Sequence, residues 1–81
     1  MPKLKFSNYF IHTRQRPDRK NIKIEWIEQV YNFPEHQMLQ SDGRKRMWGY
    51  IEEMEKYLRI VVLEDQETIH NAFFDRNFNK E

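Results

Sequence analysis

The stretch KYLRIVVLEDQETIHNAFFDR, Lys56 to Arg76, decides the fold, because it reads as two strands joined by a short acidic turn. Leu58, Ile60 and Val62 fall on one face of the first strand and Tyr57, Arg59, Val61 and Leu63 on the other, the period of two that a pleated backbone imposes. Both faces are largely apolar, which predicts a strand in the interior of its sheet. Glu64-Asp65-Gln66-Glu67 supplies turn formers, and Thr68 to Phe74 resumes with β-branched and aromatic residues. A charge inside such a strand has to be paired or reach water. Arg59, together with His70, Asn71, Asp75 and Arg76 on and beyond the return strand, therefore marks where function is to be sought.

Working back from this hairpin, Lys45 to Ile51 reads as another strand, with Arg46, Trp48 and Tyr50 on one face and Met47, Gly49 and Ile51 on the other. An acidic connection, Glu52 to Glu55, joins it to the hairpin. Before it, the Asp42-Gly43 pair favours a tight hairpin turn from a short strand at His36 to Gln40. Lys23 to Phe33 has helical spacing: Ile24, Ile27, Val30 and Tyr31 form a stripe that Trp26 and Phe33 widen, with Glu25, Glu28, Gln29 and Asn32 pointing outward and Pro34 as terminator. The first sixteen residues have two readings. Ser7 can cap a helix from Asn8, with Phe6 and Ile11 as a hydrophobic staple; equally, Leu4, Phe6, Asn8 and Phe10 alternate as a strand does. The helix is the reading preferred, and Pro17 stops or bends whatever runs through His12. The expectation is an α+β fold in two layers, with one or two N-terminal helices packed on a four-stranded antiparallel sheet, and a frayed tail over 77–81.

With 81 residues the chain is expected to form one domain. Two Trp, six Phe and four Tyr supply the large side chains that a small core needs. No apolar run approaches the roughly 18 residues of a membrane span, and no signal-peptide core opens the chain, so a soluble, cytoplasmic protein without membrane contact is expected. Cysteine is absent, which excludes disulfides and thiolate metal sites. His12, His36 and His70 lack ligand spacing, and two glycines cannot build a phosphate loop. There is neither a nucleophile elbow nor a second good helix for a helix-turn-helix. Net charge is only +1, but residues 1–23 hold seven bases against one acid while the remainder holds seven bases against twelve acids. One basic end can face a phosphate backbone or an acidic protein, or be neutralised by the acidic part on folding.

The order of elements, with a Pro after the helix, a DGR turn, a Trp-bearing strand, YLRIVVL and a closing polar strand, resembles the RelE/ParE-like toxin superfamily of bacterial toxin–antitoxin systems. More narrowly it is similar to short BrnT-like members, with His12, Arg16, Lys20 and Ile22 on the His-x3-Arg-x3-basic-x-Ile pattern, Leu58-Arg59-Ile60-Val61 on the Leu-Arg-hydrophobic strand and Arg76 as closing arginine. The similarity spans Phe6 to Phe78. Pro17 departs from it by interrupting the helix that would stack His12, Arg16 and Lys20.

The resemblance implies a protein whose sheet face cradles RNA and cleaves it without metal or other cofactor, and a small antitoxin protein that covers the same face. Such cleavage needs proton-transfer groups and cations for the phosphate. His12 and His70 are candidates for the first role, and Arg16, Arg59 and Arg76 for the second. Arg14, Arg19 and Lys20 would add substrate contacts, and Trp48 or Tyr50 could stack on a base. Beside each stands a structural role: His70 as a hydrogen-bonded sheet residue, Trp48 as packing, and Arg59 as the partner of Asp75, which is read as a clamp on the last strand. The alternative function is a non-catalytic relative that binds a protein by strand addition at a sheet edge. An enzyme for a small metabolite is disfavoured, since so short a chain rarely encloses a deep pocket.

Overall fold

A computed structural model describes residues 4–17, 19–76 and 78. In chain order the elements are β1 (Lys5–Phe6), α1 (Asn8–Thr13), α2 (Ile24–Asn32), β2 (His36–Leu39), β3 (Lys45–Ile51), β4 (Lys56–Val62) and β5 (Thr68–Phe74). They build one sheet in the order β1-β5-β4-β3-β2, so β4 is central, as its two apolar faces require. The strands β2 to β5 form the expected antiparallel meander.

The sheet is nevertheless five-stranded and mixed, not four-stranded and antiparallel. The extra strand, β1, runs parallel to β5 with Lys5 opposite Thr68 and Phe6 opposite Ile69. It covers part of an otherwise open edge: the Lys5 N–H donates to the Glu67 carbonyl at 3.2 Å and the Ser7 N–H to that of Ile69 at 3.0 Å. Two residues carry too little periodicity to announce a strand. Both readings of the N-terminal segment thus hold in part, an extended dipeptide followed at once by a helix.

Ser7 caps α1 as expected, its Oγ accepting from the Phe10 N–H at 3.0 Å. The staple differs. Phe6 stacks on Phe10, with centroids 5.0 Å apart, whereas Ile11 is 54% exposed. Phe10 is the residue that α1 turns toward the sheet, so Phe6, already on the sheet edge, meets it there. The helix stops at Thr13, and the chain then proceeds through tight turns, with Arg16 N–H to Thr13 carbonyl, Lys20 N–H to Arg16 carbonyl and Ile22 N–H to Arg19 carbonyl. His12, Arg16 and Lys20 therefore share no helix face.

The longer helix α2 buries Trp26, Ile27 and Val30. Phe33 does not widen the stripe: it is the C-cap, with φ of -136° and ψ of 63°, and at 78% exposure it points away from the core. Gly49 on β3 lets α2 lie close, since a Cβ there would stand 2.9 Å from a Val30 methyl. Phe10, Ile22, Trp26, Ile27 and Val30 pack on Met47, Ile51, Leu58, Ile60, Val62, Ile69 and Ala72, a single core between both helices and one face of the sheet.

The turns use the chemistry that the sequence offers. Gly43 takes φ +92°, and the Asp42 carboxylate accepts the Arg44 N–H at 3.0 Å. In the β4–β5 turn, Asp65 accepts from the N–H groups of Glu67 and Thr68, both at 2.9 Å, and from the Thr68 hydroxyl. The two turns abut through Arg44 and Glu64, 3.6 Å apart. No helix among the described residues is long and apolar enough to cross a membrane. Of the tail expected to fray, Phe78 is described and packed; the other tail residues lie outside the described residues.

Candidate nucleic-acid interface

Because Met47, Gly49 and Ile51 face the helices, Arg46, Trp48 and Tyr50 face the other way, and on β4 Tyr57, Arg59 and Val61 join them. The register sets Phe73, Arg59, Trp48 and His36 in one row across β5, β4, β3 and β2. The row is built of alternating charge and ring. The Arg59 guanidinium lies 5.1 Å from the Phe73 centroid and 5.8 Å from that of Trp48, and His36 tilts against Trp48 at 5.2 Å.

Asp75, just past β5, closes the row. Its carboxylate accepts from the Trp48 indole N–H at 3.1 Å and lies 3.7 Å from the Arg59 guanidinium. The clamp expected of Asp75 is thus present, and Arg59 is its partner. The Arg59 pKa is lowered from its ordinary value, first through burial and then through the charge of Arg46, with Asp75 opposing both. Among the described residues the buried Arg59 Nε has no hydrogen-bond partner.

Beside the row, at the edge of β5 beyond the reach of β1, lies a notch of about 320 Å³ lined by Arg19, Lys56, Phe73, Phe74 and Arg76. Every polar side chain lining it is a cation. Arg19 reaches it from the turns after α1, held by its donation to Asn71 Oδ1 at 2.7 Å and by the Phe73 ring at 5.4 Å. Lys56 lies 5.7 Å from the Phe74 centroid. Arg19 and Arg59 share Phe73, so the notch and the row form one basic, aromatic strip.

Four of the candidate residues meet on this strip: Arg19, Arg59, Arg76 and Trp48. Tyr50 is on the same face, set edge-on to Tyr57 at 5.2 Å. The others are elsewhere. His12 is exposed on α1, which packs against the opposite face, and Arg16 and Lys20 are exposed in the following turns. Arg14 donates to the Ile22 carbonyl at 3.5 Å and braces those turns. His70 sits at the bulge of β5, where Nδ1 is 3.1 Å from Ser7 Oγ and the ring stacks on Tyr9 at 4.7 Å. Burial holds its pKa below the ordinary 6.5, with Arg44 adding to the shift and Glu64 opposing it. The contact between Ser7 Oγ and His70 Nδ1 ties the α1 cap to the sheet.

Arg46, Phe73 and His36 belong to the strip, and Lys56 lines the notch from the helix side of the sheet, although sequence reasoning assigned them no role. The alternation of β3 already put Arg46 beside Trp48, and the pairing of β4 with β5 would have put Phe73 beside Arg59. Nothing in the sequence signalled Phe78, whose ring stacks on Trp48 with centroids 4.9 Å apart and planes 18° from parallel.

Comparison with protein-family models, curated proteins and solved structures finds no match for this chain. Chemically, the strip offers bidentate donors for phosphate and flat rings for bases. Among the described residues, no hydrogen bond, ion pair or ring contact joins His12 or His70 to it.

Proposed function

We propose that this chain is a toxin-like RNA-binding protein that holds a single RNA strand along the helix-free face of its sheet. One observation carries the reading: Arg19, Arg46, Arg59 and Arg76 gather on one strip with Trp48, Phe73 and Tyr50, and Lys56 lines the adjoining notch, although the whole chain is nearly neutral. Backbone phosphates neutralise such a strip, and the interleaved rings accept unstacked bases. The resemblance to RelE/ParE-like toxins supports the same face, since it implies an RNA cradle on the sheet. The metal-independent endonuclease activity that it also implies needs a proton-transfer group at the phosphate, and neither His12 nor His70 contacts the strip. Binding is accordingly the activity proposed, with cleavage a separate outcome of the test.

A labelled oligoribonucleotide, followed by fluorescence anisotropy, should bind with a log–log salt slope of about −2 to −4. Replacing Arg19 and Arg76 together by Ala should reduce that slope by about 1.4 and weaken binding about tenfold or more. Absence of binding at low salt would sink the proposal. Induced expression in a bacterium, with growth and total RNA followed together, separates binding from cleavage.

A second reading, as a protein-binding module, is favoured by β2. This strand is a sheet edge with all four residues exposed, Met38 and Leu39 among them. A partner strand, such as a small antitoxin, would extend the sheet there through main-chain hydrogen bonds. Its binding should be nearly insensitive to salt, unlike that of RNA.

A further inference from the structure

Phe78 lies outside the core cluster and outside every strand, and its N–H donates only a long bond, 3.5 Å, to the Asp75 carbonyl. Its ring is nonetheless well placed. It stacks on Trp48, tilts against Tyr57 at 4.8 Å and meets His36 at 5.6 Å, so that three aromatic side chains surround it. That is the contact set of a flat group received in a slot, with the stacked geometry preferred by an unpaired base. Trp48, the floor of the slot, is only 5% exposed.

The anion position beside the slot is filled as well. Asp75 places its carboxylate between the Trp48 indole N–H and the Arg59 guanidinium. A ring on Trp48 and an anion on Arg59, both from the same short segment, reproduce the two halves of a nucleotide. The slot also continues into the cationic notch: the cleft of about 280 Å³ beside Phe78 shares Lys56, Phe74 and Arg76 with it. A strand with its phosphate in the notch would present a base at the place that Phe78 takes.

We infer that Phe78 occupies in cis a nucleobase-stacking site on Trp48, with the Asp75 carboxylate on Arg59 where a phosphate of the same strand would lie. This rests on the RNA reading of the strip and adds to it the recognition of an unstacked base and a built-in competitor for that base. RNA binding then requires Phe78 to leave, and the apparent affinity is lowered by the fraction of molecules in which the slot is filled.

The experiment compares wild type with Phe78→Ala, Phe78→Leu and Phe78→Tyr, using a single-stranded oligoribonucleotide and an abasic strand of the same length at one low salt concentration. Circular dichroism checks folding, and the leucine variant keeps apolar bulk without an aromatic face should alanine fail to fold. The alanine and leucine variants should bind the base-bearing strand about fivefold to tenfold more tightly than wild type, with tyrosine restoring the wild-type value. The abasic strand should bind all four proteins alike. Equal or weaker binding of the base-bearing strand by the variants, while wild type binds it, would overturn the cis occupancy and leave the RNA interface standing. An equal gain for both strands would also overturn it, since the segment would then be blocking phosphates alone. Failure of every protein to bind either strand would overturn the RNA reading and the inference with it.

Discussion

The two faces of β4 divide the molecule's labour. Leu58 and Ile60 are fully buried and Val62 nearly so, all against the helices, and their neighbours are aliphatic or aromatic core residues. One residue to either side of Leu58, Tyr57 and Arg59 face the opposite way into rings and a carboxylate. The first face has one job, removal of apolar surface from water, and any loss of volume there is a loss of stability. The second holds groups that still have unspent hydrogen-bonding and stacking capacity, which is what a ligand needs. One strand can serve both ends because its side chains alternate with a period of two.

The sharpest way to break this division is to mutate across it. Leu58→Ala should lower unfolding stability by about 2–5 kcal/mol, the largest single effect expected, while the fraction that remains folded binds RNA as wild type does. Arg59→Ala should do the reverse: a stability loss of about 1–2 kcal/mol, but RNA affinity reduced about tenfold. Urea denaturation and anisotropy on the same preparations measure both. If Leu58→Ala weakened RNA binding of the folded protein as much as Arg59→Ala does, the two faces would not be independent.

Next in size is the clamp. Asp75→Ala leaves the Trp48 indole N–H and the Arg59 guanidinium without this acceptor, at a cost of about 1–3 kcal/mol. Arg59→Met combined with Asp75→Ala should cost less than the sum of the two single changes, because the charge stranded by the second is removed by the first. Additive losses in a denaturation series would show that the 3.7 Å approach of Arg59 and Asp75 contributes nothing.

How much of this could be read from the chain differs between the same two faces. The burial face of β4, the antiparallel meander, the Asp42-Gly43 turn, the Ser7 cap and the α2 stripe all follow from local periodicity and turn chemistry, which act over a few residues. The fifth strand was hidden because Lys5–Phe6 is too short to show a period and gains its pairing only from β5, some sixty residues on. Phe33 misled because it continues the helical spacing at a position where the backbone has already left the helix. On the open face, Arg59 stood out as a charge within an apolar strand, Asp75 as a charge at the end of the return strand and Trp48 as a ring able to stack on a base. Phe78 did not, because an aromatic near a chain end carries no pattern, and its place on Trp48 is fixed wholly by tertiary packing.

The smallest effect expected separates the structural histidine from the interface. His70 is held below its ordinary value of 6.5 by burial, assisted by Arg44 and opposed by Glu64, with Ser7 and Tyr9 packed against the ring. A depressed histidine pKa means that, as pH falls, the unfolded chain takes up a proton that the native imidazole resists. Stability should therefore be unaffected by this group well above pH 6.5 and decline as pH falls through 6.5 toward the lower native value. In His70→Gln this part of the pH slope should vanish, with RNA affinity near pH 7.5 unchanged because the residue lies off the strip. A variant that keeps the slope would assign it to another group. One that loses RNA binding while remaining folded would extend the interface across the bulge of β5 to α1.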